Sequence, residues 1–173
     1  MEYRVIYLSD YNSNKQLYLN LINKMFQEDD SKIANLDEIS NHLDYIFNAD
    51  YNLKSFLVLQ IINNNLVSMI NGCEYDNINN EWCLFSLFTK KEYRKLGYGE
   101  RILKLAIEGI ENYEYSKIIV GIEEENIPSI KLHEKVGFNY CNCNWDELAS
   151  IFPKNHLGYC YKKCKKWLFK YRK

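Results

Sequence analysis

The hexapeptide Arg94-Lys95-Leu96-Gly97-Tyr98-Gly99 lies between an apolar run, Trp82 to Phe88, and a helical pattern from Glu100 to Glu111. A strand that ends in a glycine-punctuated turn and opens a helix has few ways to fold, and all of them point several backbone N–H groups into one concavity. The unpaired donors of the first helical turn and the positive end of the helix dipole favour an anion there. Glycine at 97 and 99 leaves no Cβ between backbone and anion and makes positive φ accessible. A pyrophosphate-binding turn is the expectation; an unliganded strand-to-helix turn has the same local signature.

About thirty residues on, the apolar run Ile118-Ile119-Val120 leads through Gly121 to Asn126-Ile127-Pro128-Ser129-Ile130-Lys131-Leu132-His133, and then to Gly137-Phe138. Together the two blocks resemble the GNAT superfamily of acyl-CoA-dependent N-acyltransferases. That pattern is a strand, Arg/Gln-x-x-Gly-x-Gly/Ala, a helix, a strand, Asn-x-x-Ala/Ser-x-x-x-Tyr and a Gly-Phe pair. The resemblance is strong from about Leu84 to Tyr140 and departs at His133, where the family usually carries tyrosine.

The resemblance implies an α/β fold with a mixed, mostly antiparallel sheet and a central parallel βαβ pair, and acetyl-CoA as cosubstrate. The amides of Lys95, Leu96, Gly97, Tyr98, Gly99 and Glu100 would hold its pyrophosphate, with Arg94 at the Arg/Gln position. Leu87, Phe88 and Thr89 would pair with pantetheine as a pseudo-strand. The Leu87 N–H would point at the thioester oxygen and stabilise the charge that develops there. Asn126 would reach a pantetheine amide, and Ser129 belongs to the same cofactor-binding set; Asn126 also suits a helix N-cap followed by proline. His133 would take the place of the tyrosine that protonates the leaving thiolate, or simply fill its space; Tyr93, Tyr98 and Tyr140 are alternative hydroxyls. For the proton of the attacking amine the candidates are Glu81, on one strand face with Cys83 and Phe85, then Glu74 and Glu123.

The implied activity is direct N-acetyl transfer from acetyl-CoA to a primary amine through a tetrahedral intermediate, without an acyl-enzyme. A binding or sensing module that keeps CoA recognition without efficient chemistry is the alternative.

The remaining sequence agrees. One domain over residues 1–173, with 47% hydrophobic and 15% aromatic residues, can build a real core. A formal net charge of −1 argues against a polyanion partner such as nucleic acid. The charge is uneven: residues 1–80 carry 5 basic and 11 acidic groups, and residues 151–173 carry 8 basic and none acidic. No apolar stretch reaches the roughly 18 residues of a spanning helix, and Met1-Glu2-Tyr3-Arg4 does not begin a signal peptide, so a cytoplasmic protein without membrane attachment is expected. Six cysteines, at 73, 83, 141, 143, 160 and 164, lack the spacing of a zinc ribbon. No metal site is expected, and no redox role.

Periodicity predicts a strand over Tyr3 to Leu8 and a helix from about Lys15 with Leu17, Leu21, Ile22, Met25 and Phe26 on one face. A second helix is expected at Asp37 to Asn48, with the acidic segment Gln27 to Ser31 between the two as a possible cleft border. Strands follow at Phe56 to Ile62, Leu66 to Glu74 and Glu81 to Phe88, the first two joined by an asparagine turn. In the helix after the glycine turn, Ile102, Leu103, Ala106, Ile107 and Ile110 share one face. Exposed edge strands in such folds often pair, which makes a homodimer one of the expectations.

Overall fold

Eleven regular elements make up the computed structural model, which describes residues 1–29, 36–47, 54–76, 79–141 and 156–162. In chain order they are β1 (Glu2–Tyr7), α1 (Leu8–Glu28), α2 (Leu36–Ile46), β2 (Ser55–Ile62), β3 (Asn65–Asp76), β4 (Glu81–Thr89), α3 (Tyr98–Glu111), β5 (Lys117–Glu123), α4 (Ile127–Val136), β6 (Asn139–Tyr140) and β7 (His156–Lys162). The seven strands form one sheet in the order β1-β2-β3-β4-β5-β7-β6, in which β4 and β5 are parallel and the other neighbours antiparallel. This is the mixed sheet with a central βαβ pair that the sequence implied.

Strand β2, Ser-Phe-Leu-Val-Leu-Gln-Ile-Ile, is buried along nearly its whole length because helices cover both faces of the sheet. Its alternation sorts the core. Phe56 and Val58 join Trp82, Leu84, Ile118 and Val120 beneath α3, whose Ile102, Leu103, Ala106, Ile107 and Ile110 are all buried. Leu57, Leu59 and Met69 face the other way, against α1 and α2. Side chains on alternate strand positions thus feed two separate cores. The β2–β3 hairpin turns through Asn63 and Asn64, with φ of 49° and 63°, the left-handed conformation that asparagine tolerates.

Helix α1 begins earlier than its periodicity suggests, at Leu8, and carries a non-helical residue at Asn14 (φ −132°, ψ 23°). The kink explains why a regular pattern was legible only from about Lys15. The buried face also differs from the expected one. Tyr18, Leu19, Ile22 and Met25 are buried while Leu17 is 49% exposed, so the face is rotated toward two bulky residues that the expected stripe omitted. Of the acidic segment, Gln27 and Glu28 belong to α1; Asp30 and Ser31 lie outside the described residues, as does Asn48 at the expected end of the second helix.

Cys73 and Cys83 are cross-strand partners, and burial pushes the Cys73 thiol up to about 12 and Cys83 higher than an ordinary thiol. Cys141, which follows β6, is disulfide-bonded to Cys160 of β7. The sequence suggested no pairing for these two; residues far apart in the chain become neighbours because β6 lies against β7, while Cys73 and Cys83 are free thiols. Cys143, Cys164 and most of the basic C-terminal segment lie outside the described residues. Among those residues no helix is long and apolar enough to cross a membrane, and no group of three or more His, Cys, Asp or Glu side chains is placed to hold a metal ion.

Candidate functional site

The site begins where β4 and β5 part. They are paired from Glu81–Lys117 to Leu84–Val120, and there the parallel ladder stops. On its other side β4 stays with β3 but slips: Asn71 lies opposite Phe85 and Met69 opposite Phe88, so Ser86 and Leu87 share a single counterpart. This is a β-bulge, and Ser86 takes φ +54° in it. Beyond the bulge, Ser68 Oγ donates to Phe88 O at 2.7 Å and lies 2.8 Å from Thr89 Oγ1, which ties the end of β4 to β3. The edge of β4 that faces β5 is thereby left open. A cleft of about 520 Å³ fills the gap, with Leu84 to Phe88 on one wall, Val120 to Glu123 on the other, and Asn126, Ser129 and His133 of α4 at its side.

The glycine turn stands at the end of that open edge. A 3-10 turn at Lys91–Tyr93 and the left-handed residues Lys95 (φ 62°) and Gly97 (φ 83°) reverse the chain into α3, with Gly97 as N-cap. Gly97 has open space where a Cβ would stand, so backbone conformation is what demands glycine here. Gly99 is different. It is already helical, and a Cβ there would come within 3.3 Å of Leu132 and 3.4 Å of Thr89 Oγ1, so its role is close packing of α3 on β4 and α4. Tyr98, Gly99 and Glu100 form the first helical turn, whose N–H groups have no carbonyl four residues back within the helix.

Arg94 donates from Nε to Thr89 O at 2.8 Å and pairs through Nη2 with Asp29 at 3.1 Å, its guanidinium lying over the Phe88 ring. Asp29 has a buried side chain and also accepts from the Lys91 N–H. It therefore joins the end of α1 to the glycine turn. Glu100 would oppose an anion at this place, but Lys104 and Lys135 bind its carboxylate at 2.8 and 2.5 Å and hold its pKa down at about 2. The turn offers backbone donors with its nearest carboxylate neutralised.

On α4, Asn126 is the N-cap, its Oδ1 accepting from Ser129 N–H at 3.2 Å, and it lines the cleft as well. The N-cap reading of this residue holds, and the same residue borders the cleft. His133 is buried, packs edge-on against Phe138, and places Nδ1 2.8 Å from Ser129 O. A carbonyl only accepts, so Nδ1 carries the proton and Nε2 the lone pair. Burial pushes the ring's pKa below its ordinary value, against the opposing pull of the Ser129 carbonyl. Burial therefore disfavours the charged ring that a histidine in the tyrosine's place would use to protonate the thiolate.

Of the three candidate carboxylates only Glu123 reaches the cleft. Glu81 sits at the opposite end of β4, six residues or about 20 Å of strand from Leu87. There it pairs with Lys117 at 2.8 Å and accepts from the Tyr75 hydroxyl. Sharing a strand face with Phe85 says nothing about position along the strand, so the expectation for Glu81 fails. Glu74 is buried near the same distal end and paired with Lys54 at 3.2 Å. Tyr93 and Tyr98 contact each other at the turn, and Tyr140 is 63% exposed on β6; none of the three lines the cleft.

Three residues escaped the sequence reading, His42, Ser86 and His156, while Asp29 belongs to the acidic segment expected as a cleft border and sits beside the glycine turn. A serine in an apolar strand was the available signal for the bulge. The others are brought in by elements distant in sequence.

The family model described as the acetyltransferase (GNAT) family matches residues 16–138. The chain belongs to that family. Among curated proteins it is similar to a probable spermine N(1)-acetyltransferase of Bacillus subtilis subsp. natto (strain BEST195), 35% identical over 66 residues. That match spans 38% of this chain and 43% of the relative, so less than half of the relative's length is covered. Among solved structures, a GNAT-family acetyltransferase from Staphylococcus aureus Mu50 superimposes with a TM-score of 0.63 at 19% identity, covering 93% of this chain and 99% of that one. An aminoglycoside 6'-N-acetyltransferase complexed with coenzyme A gives 0.66 at 13% identity, with 94% and 97% covered. At these identities the structural neighbours establish the GNAT fold and nothing narrower.

Proposed function

We propose that this chain, a single domain over residues 1–173 working in the cytoplasm, is an N-acetyltransferase. It moves the acetyl group of acetyl-CoA directly to a primary amine through a tetrahedral intermediate. The observation that carries this reading is the open edge of β4, which runs from the bulge straight to the N-terminus of α3. An extended ligand with amides in its middle and a pyrophosphate at one end matches that sequence of donors: strand edge first, helix turn second.

In this reading the amides from Lys95 to Glu100 hold the pyrophosphate, and Asn126, with Oδ1 engaged as a cap, turns Nδ2 to pantetheine. Leu87 N–H, in the bulge, stabilises the developing oxyanion; one such donor is worth about 3 kcal/mol. Thr89 and Phe88 contribute less than expected, since their carbonyls already accept from Arg94 and Ser68. His133 Nε2 accepts a hydrogen bond in the cleft, and the thiolate, with a pKa near that of a cysteine at about 8.5, leaves without a charged acid beside it. A CoA-binding module without turnover is favoured by that one feature, the buried His133, and differs in outcome.

The acceptor class is best sought first among polyamines, because the curated relative is named for spermine and Glu123 opens the exposed run Glu123-Glu124-Glu125 at the rim of the cleft. Calorimetric titration with acetyl-CoA, followed by an amine panel scored for free thiol release, tests the reading. Saturable binding that Gly97→Val abolishes, together with amine-dependent thiol release, supports it. Binding without release on any amine gives the module instead, and a folded protein without binding at millimolar acetyl-CoA overturns both.

A further inference from the structure

An attacking amine has to shed a proton; the carboxylates Glu81 and Glu74 are too far away to take it, and Glu123 lies exposed on the wall across from the bulge. A different group is in place. His42 of α2 lies edge-on to Phe85, with ring centroids 5.8 Å apart, and its Nε2 is 3.0 Å from Ser86 Oγ. Ser86 lines the cleft and immediately precedes Leu87, whose N–H is assigned to the oxyanion. The hydroxyl thus touches the cleft on one side and an imidazole on the other, while His42 is itself exposed to solvent. Partial burial against β4 pushes the pKa of His42 below its ordinary value, which favours the neutral ring that can accept.

The backbone supplies an independent argument. At three of its other left-handed positions, 63, 64 and 80, the chain places asparagine, which tolerates that conformation. At 86 it places serine, which does so less readily. Strain held at the lip of a cleft, on the residue whose side chain faces a histidine, is a mark of function.

We propose that Ser86 and His42 form a proton relay for the acceptor amine, a role that rests on the acetyltransferase reading. As the amine nitrogen bonds to the thioester carbon, its proton passes to Ser86 Oγ while the Ser86 hydroxyl proton passes to His42 Nε2. Collapse of the tetrahedral intermediate breaks the C–S bond and the electron pair leaves on sulfur. The thiolate takes a proton from water, and the His42 imidazolium returns one to water at its exposed side. Charge and atoms balance, with no oxidant or reductant.

The test compares wild type, Ser86→Gly, His42→Gln and the double variant on one reactive amine, together with His42→Gly with and without added imidazole. Glycine at 86 keeps the left-handed backbone, so a folded variant is expected, verified by its Tm. A relay predicts a fall in kcat of about 100-fold in each single variant. It also predicts an acetyl-CoA Kd within about twofold of wild type, a double variant no worse than either single one, and partial recovery of His42→Gly by imidazole. Single variants that keep kcat within about twofold, losses that multiply in the double variant, or no effect of imidazole overturn the relay while leaving the acetyltransferase reading intact. A wild type that binds acetyl-CoA but acetylates no amine overturns both.

Discussion

Asn71 is fully buried in β3 opposite Phe85, and neither atom of its amide has a hydrogen-bond partner. A desolvated amide of this kind costs about 1–3 kcal/mol. Asn71→Val, which removes the amide and suits a strand, is expected to raise the urea midpoint, and Tm by about 2–4 °C for each kcal/mol recovered. Glu100 gives a prediction of opposite pH sense to a histidine. Its folded pKa of about 2 lies below the ordinary 4.5, so its contribution to stability is complete above pH 4.5 and disappears as pH falls toward 2. Carboxyl titration by NMR should find that midpoint near 2 in wild type and higher in Lys135→Met, because one of the two cations holding it down is gone. At this scale the sequence was legible where a local pattern suffices, as at the left-handed Gly97 and the N-cap Asn126. It was not legible where function rests on a meeting of side chains: nothing local links His42 to Ser86, 44 positions away.

Elements fare differently. The apolar periodicity of α3 and the strand on either side of it were readable because each buries one continuous face, and their order dictates a parallel crossover. The bulge in β4 was hidden, since it is a mismatch of register with β3 and exists only once the two strands are paired. So was the link between the first helix and the glycine turn. Asp29, at the end of α1, accepts from Arg94 and from the Lys91 N–H, while Glu28 beside it pairs with the buried Lys90 at 2.8 Å. Asp29→Ala would remove the acceptor of a solvent-exposed backbone donor and guanidinium, costing about 0.5–1.5 kcal/mol. The expected result is a lower denaturant midpoint together with weaker acetyl-CoA binding by calorimetry. The paired loss separates this variant from core substitutions, which should lower stability without touching the turn.

For the molecule as a whole, the Cys141–Cys160 bond closes a loop with a sequence separation of 19. Loop-closure entropy for that length amounts to about 3 kcal/mol. Unfolding of the oxidised protein should therefore show a lower urea midpoint when dithiothreitol is added, and Cys141→Ser should start at the lower value and ignore the reductant. The seven-stranded sheet has a mechanical side as well. Four rungs, from Glu81–Lys117 to Leu84–Val120, rivet two plates together at one end, β1 to β4 on one side and β5 to β7 on the other. Past the last rung the two plates stay joined through the core beneath α3, which draws Phe56, Trp82 and Leu84 from one and Ile118 and Val120 from the other, so a ligand in the gap acts as a wedge against that packing. A thicker wedge would press on β5 and on His156 of β7, which borders the gap, and through them shift the short strand β6, so that the far edge of the sheet would register what has entered.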